Sequence, residues 1–189
     1  MRKLAFVFAF IGSLITIRLI AAPSSRAISE VMEFKLANSD QWVEENEVDD
    51  EKSDHDHYLF ADDDTIDLNL LREDSDWSKD LSAKGKDAFV ADIVKGQNII
   101  NNLFSVGETI VLDSKLDRER DVSVLTLHTK QHLPDGDYER VAKYYLAMGQ
   151  TLQAELRWKS SADASAVKKA RKSFEDGTWK LAGVSEASR

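Results

Sequence analysis

The chain has 189 residues, a net charge of −9 and no cysteine, and these totals limit the classes of protein to which it can belong. The length suggests one folded domain, and without disulfides the fold must be stabilised by its core alone or act in a reducing compartment. Of its acidic residues, 16 lie within residues 40–76, which argues against nucleic acid or an anionic membrane as the main partner.

Residues 1–27 are predicted to be a cleaved secretory signal peptide. Arg2 and Lys3 form a short positive region, and the apolar run over residues 4–17 follows it. A bilayer-spanning helix needs about 20 apolar residues, whereas the apolar core of a signal peptide is about 7–15 residues long. In the run Ser25, Arg26 and Ala27, small residues lie at the two positions that a signal peptidase reads. We expect a secreted protein with no stable membrane insertion after cleavage.

Residues 28–76 are predicted to form a disordered acidic arm. Within residues 40–76 only Lys52 and Arg72 oppose the 16 acidic side chains, and like charges in a block repel one another. His55 and His57 lie among aspartates, but a metal site needs three or four ligands held by a rigid frame. We therefore expect no metal site in this arm.

Residues 77–189 are predicted to be a helical domain, so the expected fold class is mainly α, a small helical bundle. The apolar residues of 77–104 recur at helical spacing, and Gly85 and Gly96 divide them between two short helices. After the turn at residues 134–136, Asp137 is a suitable N-cap for a helix to about Lys159. Its apolar stripe would comprise Val141, Tyr144, Tyr145, Met148, Leu152 and Leu156. Another helix would begin at Ser160 or Ser161 and pass through Phe174, and at least three helices favour a bundle.

An alternative fold class remains open at residues 109–129. The runs 109–112 and 122–129 are rich in β-branched residues and would suit a short hairpin in an α+β fold, together with a strand-like tail at residues 178–184. The second run also fits a helix, with Val122, Leu125, Thr129 and Leu133 on one face. Periodicity does not distinguish these alternatives in short runs.

No catalytic motif is present, so we expect a protein that is not an enzyme and needs no cofactor. The sequence has no cysteine nucleophile, no G-x-S-x-G turn and no glycine-rich phosphate loop. His128 and His132 are four residues apart, as zinc ligands on a helix can be, but no glutamate follows His128 as in H-E-x-x-H. No metal is expected here either.

Two groups of side chains are candidates for binding rather than catalysis. Large aromatic residues of the last third are predicted to be core or interaction residues, since exposed aromatic residues often anchor interfaces: Tyr144, Tyr145, Trp158 and Trp179. A basic cluster on a predicted helix is a candidate nuclear-import signal, with a solvated helix face as the alternative: Lys168, Lys169, Arg171 and Lys172.

The order of these segments resembles a known family. A candidate translocation motif lies at Asn69, Leu70, Leu71 and Arg72, followed by Glu73 and Asp74. It is similar to an RxLR–dEER motif with asparagine in place of the first arginine. Residues 152–158 resemble the segment that leads into the tryptophan of a WY module, and residues 161–170 lie where that module begins its next helix. The chain as a whole thus resembles the RxLR effectors secreted by oomycete plant pathogens.

This resemblance implies a function and a location. It implies a protein translocated into plant cells, in the host cytoplasm or host nucleus, that binds host proteins and suppresses immunity or cell death. The alternative is a bacterial extracytoplasmic protein of α+β fold that binds a ligand or has a structural role. Substantial sheet content in residues 77–189 would favour this alternative.

Overall fold

The computed structural model describes residues 20–21, 26–27, 32–45, 55–73, 77–104, 106–119, 122–147 and 150–181. These residues form an eight-stranded and a three-stranded sheet, both antiparallel. In spatial order the large sheet consists of β1 (Ile20–Ala21), β4 (Trp42–Glu44), β5 (His55–Phe60), β6 (Asp63–Glu73), β10 (Gln150–Lys159), β9 (Gly136–Ala147), β8 (Val122–Leu133) and β7 (Thr109–Glu119). The small sheet consists of β11 (Thr178–Leu181), β3 (Met32–Lys35) and β2 (Arg26–Ala27).

Helices cover the two faces of the large sheet. Among the described residues they are α1 (Trp77–Lys84), α2 (Lys86–Leu103) and α3 (Ala164–Glu175), and a 3-10 turn spans Ser39–Gln41. Two helices therefore form over residues 77–104 with a break at Gly85, whereas the predicted break at Gly96 is wrong because Gly96 lies within the 18-residue α2. The predicted helix through Phe174 is also present. Among the described residues, no helix is both long and apolar enough to cross a membrane.

The predicted fold class, a mainly α bundle, is wrong, and the α+β alternative is confirmed. Strands β7 and β8 form the hairpin expected near residues 109–129, with Thr109 opposite Gln131 and Glu119 opposite Val122. The competing helix over the second run is therefore absent. The tail at Thr178–Leu181 is also a strand, and it pairs with β3.

The predicted helix over residues 137–159 is wrong because this segment forms the two strands β9 and β10. Both faces of β9 are buried: Val141 and Tyr145 lie in the core next to α3, whereas Tyr144 and Leu146 lie in the core next to α1 and α2. A strand buried on both faces does not show the alternation of a half-exposed strand. Its apolar side chains therefore recurred at intervals that imitate a helix.

The predicted disordered arm is wrong for residues 32–45 and 55–73, which the structure describes. They contain β3 to β6, and β6 pairs with β5 on one side and β10 on the other. Both faces of β6 are buried from residue 66 to residue 70: Ile66, Leu68 and Leu70 lie on one face and Asp67 and Asn69 on the other. Residues 28–31, 46–54 and 74–76 lie outside the described residues, as do residues 1–19 and 22–25 of the predicted signal peptide.

Three acidic side chains of this segment accept hydrogen bonds from the C-terminal half of the chain. Asp62 accepts a hydrogen bond from Lys169 at 2.8 Å, and Asp67 accepts one from Arg157 at 2.9 Å. Asp63 accepts the backbone N–H of Asp163 at 3.0 Å. Residues that are far apart in the sequence thus lie side by side in the fold. Because Asp67 pairs with Arg157, this acidic side chain can be buried within the sheet.

The large sheet carries a hydrophobic core on each face. On one face, α3 and the small sheet cover a core that contains Phe34, Trp42, Ile66, Leu68, Leu156 and Phe174, with further residues of β5, β8, β9 and β10. On the other face, α1 and α2 cover a smaller core of Leu81, Phe89, Val90, Leu125, Leu127, Ala142, Tyr144 and Leu146. The sheet is thus the middle layer of the described part of the molecule.

Replacing Asp163 with alanine is expected to lower the free energy of unfolding by about 1 kcal/mol. Asp163 is the N-cap of α3, and its carboxylate accepts the N–H of Ala166 at 2.9 Å. Alanine leaves that donor without a side-chain acceptor. The measurement is urea unfolding followed by circular dichroism, with Asp163→Ser as the control, because serine caps nearly as well. Equal losses for both variants would show that capping is not the cause.

Candidate functional site

The residues of the predicted translocation motif are part of the large sheet. Asn69 and Leu70 are buried in β6, and the backbone of residues 69–73 pairs with β10 while that of residues 69–71 also pairs with β5. Asp74 lies outside the described residues. In this structure the segment is a central strand and does not present a continuous exposed peptide.

The four aromatic candidates fall on both faces of the sheet. Tyr144 lies on the side of α1, with its ring 5.6 Å from that of Trp77. Tyr145, Trp158 and Trp179 lie on the opposite side, where Tyr145 and Trp158 are buried and Trp179 is partly exposed. The rings of Tyr145 and Trp179 are 5.8 Å apart. The structure therefore brings only these two of the four into one place that is open to solvent.

The basic cluster lies along the outer side of α3. Its members are Lys168, Lys169, Arg171 and Lys172, of which all but the half-buried Arg171 are exposed. Lys172 pairs with Asp176 at 2.8 Å and Arg171 with Glu175 at 3.4 Å. A role in nuclear import stays a prediction.

Three histidines lie beside carboxylates, and His57 lies between two of them, with Nε2 3.9 Å from Asp67. Nε2 of His128 lies 3.2 Å from Glu139, and Nδ1 of His132 lies 2.7 Å from Asp137. Nδ1 of His57 lies 2.7 Å from Glu45. In the part of the chain that the structure describes, no group of three or more His, Asp or Glu side chains could hold a metal ion.

A cleft of about 500 Å³ lies at the end of α3, between the large sheet and β11. Its floor is built by side chains that share one face of three neighbouring strands, since Lys115 is opposite Thr126 and Thr126 is opposite Lys143. One pair further along, Asp117, Val124 and Tyr145 complete the floor. The wall is formed by Glu175, Gly177, Thr178 and Trp179.

The wall is held close to the floor by two features. The indole N–H of Trp179 donates to the carboxylate of Glu119 at 2.7 Å. Gly177 lies so near β3 and α3 that a Cβ atom there would be 2.7 Å from the ring of Phe34 and 3.1 Å from the carbonyl oxygen of Phe174. A larger residue would push β11 away from the sheet, so glycine is required for this approach.

Lys143 is the charged group that distinguishes the cleft. Its ammonium lies 4.8 Å from the centre of the Phe174 ring and donates to the Phe174 carbonyl oxygen at 3.4 Å. Burial lowers the pKa of Lys143 below its ordinary value, and the fields of Glu175, Glu119 and Asp176 partly oppose that effect. No ion pair of Lys143 is present among the described residues, so its charge is only partly compensated.

Tyr145 lies beside Lys143 on the cleft floor. Burial raises the pKa of the Tyr145 phenol, and the negative charge of Glu119 raises it further. The phenol therefore stays protonated at neutral pH and can donate a hydrogen bond. The cleft thus offers two cations, of which Lys115 pairs with Asp117 at 2.9 Å, together with hydroxyl groups, two aromatic rings and carboxylates.

A second polar cluster, on the opposite face of the sheet, is satisfied internally. Asp67 pairs with Arg157, and Arg140 contacts Glu155 at 3.4 Å. Arg140 also donates to Gln97 at 2.6 Å and to Thr129 at 3.0 Å. Because these charges already have partners of opposite sign, this cluster fits a stabilising role better than ligand binding.

Sequence reasoning identified Tyr145 and Trp179 but missed Lys143 and Glu119. The sequence signal for Lys143 was its place between Val141 and Tyr145 at a spacing of two residues. In a strand this spacing directs all three side chains to one buried face. On the predicted helix, Lys143 would instead have belonged to the polar side.

No model of a protein family matches the sequence, and a comparison with curated proteins finds no match. The solution structure of cyanobacterial PsbP (CyanoP) from Synechocystis sp. PCC 6803 is similar, with 15% sequence identity and a TM-score of 0.59, over 89% of this chain and 98% of that chain. A crystal structure from Bacteroides thetaiotaomicron VPI-5482 matches with 10% identity and a TM-score of 0.43, over 90% of this chain and 51% of that chain. The second likeness is too weak to support an argument.

The resemblance to oomycete effectors is therefore wrong, because the similar structure is rich in β-strands and is not a helical WY module. A host protein as partner and a host compartment as location were implied by that resemblance, and both stay predictions. At this level of identity the similarity concerns the fold and not the function. The chain has an α+β fold similar to that of cyanobacterial PsbP.

Proposed function

We propose that this chain is an exported binding protein, without catalytic activity, whose cleft binds a small molecule that carries one carboxylate. The single observation that supports this most is Lys143, an ammonium in a cleft of about 500 Å³ that has no ion pair among the described residues. Ligand pockets of proteins commonly measure about 300–1,000 Å³. The cleft therefore has a suitable size for a small organic ligand.

The charges around Lys143 favour a carboxylate with a single negative charge. Burial deprives the Lys143 ammonium of hydrogen bonds to water. A ligand carboxylate would replace them with charge-assisted hydrogen bonds. Asp117, Glu119 and Glu175 line the same cleft, and they would repel a ligand with several negative charges. A donor group elsewhere on the ligand would be attracted to the same carboxylates.

The aromatic side chains favour a ligand with an apolar body. The rings of Tyr145 and Trp179 lie 5.8 Å apart at one side of the cleft. Aromatic surfaces supply large contact areas in recognition sites. The proposed ligand class is therefore a small, singly charged carboxylate with a flat or apolar portion, such as an aromatic acid or an apolar amino acid.

Two further parts of the proposal come from the sequence. Export is supported by the pattern of residues 1–27, which fits a signal peptide. Absence of catalysis is proposed from the sequence, which has no cysteine nucleophile, no G-x-S-x-G turn and no glycine-rich phosphate loop. We propose no nucleic acid as partner and no stable insertion into a membrane.

Replacing Lys143 with methionine is expected to weaken binding of such a carboxylate by about tenfold or more, since a hydrogen bond to a charged group contributes about 1.5–3 kcal/mol. Binding is measured by titration calorimetry of the purified protein with benzoate, indole-3-acetate, phenylalanine and inorganic phosphate. Tryptophan fluorescence gives a second measurement, because Trp179 lines the cleft.

The matched control is Lys168→Met, which removes an exposed lysine of α3 outside the cleft. This control should bind as the unmodified protein does. Equal binding by Lys143→Met and Lys168→Met would contradict the proposed site. Binding of phosphate in preference to every carboxylate would contradict the proposed ligand class.

A further inference from the structure

Exposed apolar side chains are concentrated at one edge of the molecule. Within the described residues, the large apolar side chains with the greatest exposure lie on β7, in the second half of α2 or directly after α2: Ile99, Ile100, Leu103, Phe104, Ile110, Val111, Leu112 and Leu116. Leu103 is the most exposed, at 74%. A concentration of exposed apolar side chains commonly marks an interaction site.

The strand in this surface is the outermost strand of the large sheet. β7 has 11 residues and pairs with β8 on one side, and no strand of the described part of the chain lies on its other side. Backbone N–H and C=O groups along such an edge can pair with a further strand. Lys86 of α2 donates to the carbonyl oxygen of Ser114 at 3.3 Å, a contact that a pairing strand would replace. Leu112 is the extra residue of a bulge between Val111 and Asp113, so β7 is regular from Asp113 to Glu119.

We propose that β7 pairs antiparallel with β7 of a second copy of this chain, about a two-fold axis at Ser114. In this register Asp113 of each copy lies opposite Lys115 of the other. The symmetry repeats this pair, so the centre of the seam contains two pairs of opposite charge. Pairs of opposite charge on neighbouring strands stabilise antiparallel sheets.

Neighbouring registers are less favourable. A two-fold axis normal to the sheet keeps each side chain on its own face of the sheet. Two paired residues must therefore both have even numbers or both have odd numbers. The axis then passes through a residue and not between two residues. An axis at Asp113 would place the two Asp113 carboxylates opposite each other, and an axis at Lys115 would do the same with two ammonium groups. An axis at Leu116 would oppose Asp113 and Glu119. Ser114 is the centre that avoids these like-charge contacts.

The faces of the sheet agree with this register. Asp113 and Lys115 are opposite His128 and Thr126 of β8, so both lie on the face that carries the cleft. Val111 and Ser114 line an apolar groove with Val90, Val94 and Ile99 of α2 on the other face. Pairing would therefore bring the α2 surfaces of both copies to the seam, where their apolar side chains could be covered. It would also place two clefts on one face of a continuous sheet.

The test uses charge exchange across the seam. We expect the purified chain to be a dimer in sedimentation equilibrium at micromolar concentrations. Lys115→Asp alone should weaken the dimer about tenfold or more, because both charge pairs become repulsive. Asp113→Lys alone should do the same for the opposite reason. The double variant Asp113→Lys, Lys115→Asp should regain the dimer.

Mixing the two single variants gives the sharpest outcome. One variant has lysine at positions 113 and 115, and the other has aspartate at both positions. Every charge pair between the two variants is therefore attractive. A heterodimer should form, although neither variant dimerises well alone. Hydrogen exchange of the unmodified protein adds a second measurement: amides of β7 should be better protected at high than at low protein concentration.

Three results would overturn the proposal. If the unmodified chain remains a monomer at high micromolar concentration, β7 does not pair with β7 of a second copy. A dimer that tolerates both single charge changes would place the interface elsewhere, as would β7 amides whose protection does not depend on concentration. Because dimerisation is measured without any ligand, its failure would leave the binding role of the cleft to be judged by titration of Lys143→Met.

Discussion

Replacing Trp42 with alanine should lower the free energy of unfolding by about 4 kcal/mol, within the range for loss of a large buried aromatic side chain. Trp42 is fully buried, and its ring meets that of Phe60 edge-on at a centroid distance of 5.1 Å. Its indole N–H donates to Ser173 of α3 at 3.0 Å. Alanine would leave a cavity between β4 and α3 and remove this buried hydrogen bond.

This variant also tests whether the acidic segment belongs to the fold. Unfolding by urea, followed by circular dichroism, gives the free energy for the unmodified chain and for Trp42→Ala. The control is Asp40→Ala in the same segment, where the side chain is exposed and the change should stay within about 0.5 kcal/mol. If Trp42→Ala were as stable as this control, the segment over residues 32–45 would not contribute to the core.

Replacing Arg157 with leucine should lower the free energy of unfolding by about 3 kcal/mol at neutral pH, the lower end for breaking a buried ion pair. The Asp67 side chain is 8% exposed, and Arg157 Nε donates to its carboxylate at 2.9 Å. Arg157 is 27% exposed, which is why we expect the lower end. Leucine would leave Asp67 with the side-chain amide of Asn69 as a donor at 2.7 Å, and with His57 Nε2 at 3.9 Å.

The loss should depend on pH, and the pKa of Asp67 gives its direction. Burial raises the pKa of Asp67 above its ordinary value, while Arg157 and His57 act to lower it and Glu155 adds to the rise. The folded state thus binds the Asp67 proton more tightly than the unfolded chain does. Stability from this group is therefore greatest below the unfolded pKa, and it decreases as the pH rises through the folded pKa.

Without Arg157, the pKa of Asp67 in the folded state should rise further, so the protonated form should persist to higher pH. The destabilisation caused by Arg157→Leu should then shrink as the pH falls toward the ordinary value of 3.8. Urea unfolding at neutral and acidic pH measures this. In the double variant Asp67→Asn, Arg157→Leu the additional pH dependence should disappear. A loss that is the same at both pH values would refute the assignment to Asp67.

The elements that the sequence predicted well are those whose pattern is local. Helices α1 and α2 each bury apolar residues on one side and expose the other side. The apolar residues of 77–104 therefore recur at helical spacing in the sequence. Helix α3 has the same character, although its cap is Asp163 rather than Ser160 or Ser161. Strands β7 and β8 were recognised through their β-branched residues, but their pairing was only an alternative.

The failures have one common cause, which is burial that depends on distant parts of the chain. β9 and β10 are buried on both faces, so their apolar residues lacked the alternation that would have identified strands. The acidic segment appeared unable to fold because its partners, Lys169, Arg157 and the α3 N-terminus, lie about a hundred residues away in sequence. The cleft was missed for the same reason, since its floor and wall come from five separate elements.

By itself the sequence determined the absence of disulfides, the three helices and the turn at Pro134, because each depends on residue types or on spacing within a few residues. Only the tertiary structure decided that residues 55–73 lie in the middle of a sheet and that Lys143 faces a cleft. Strand pairing joins residues far apart in sequence, and the charge and burial of a side chain depend on what that pairing places beside it. Such neighbours cannot be read from the local pattern of one strand.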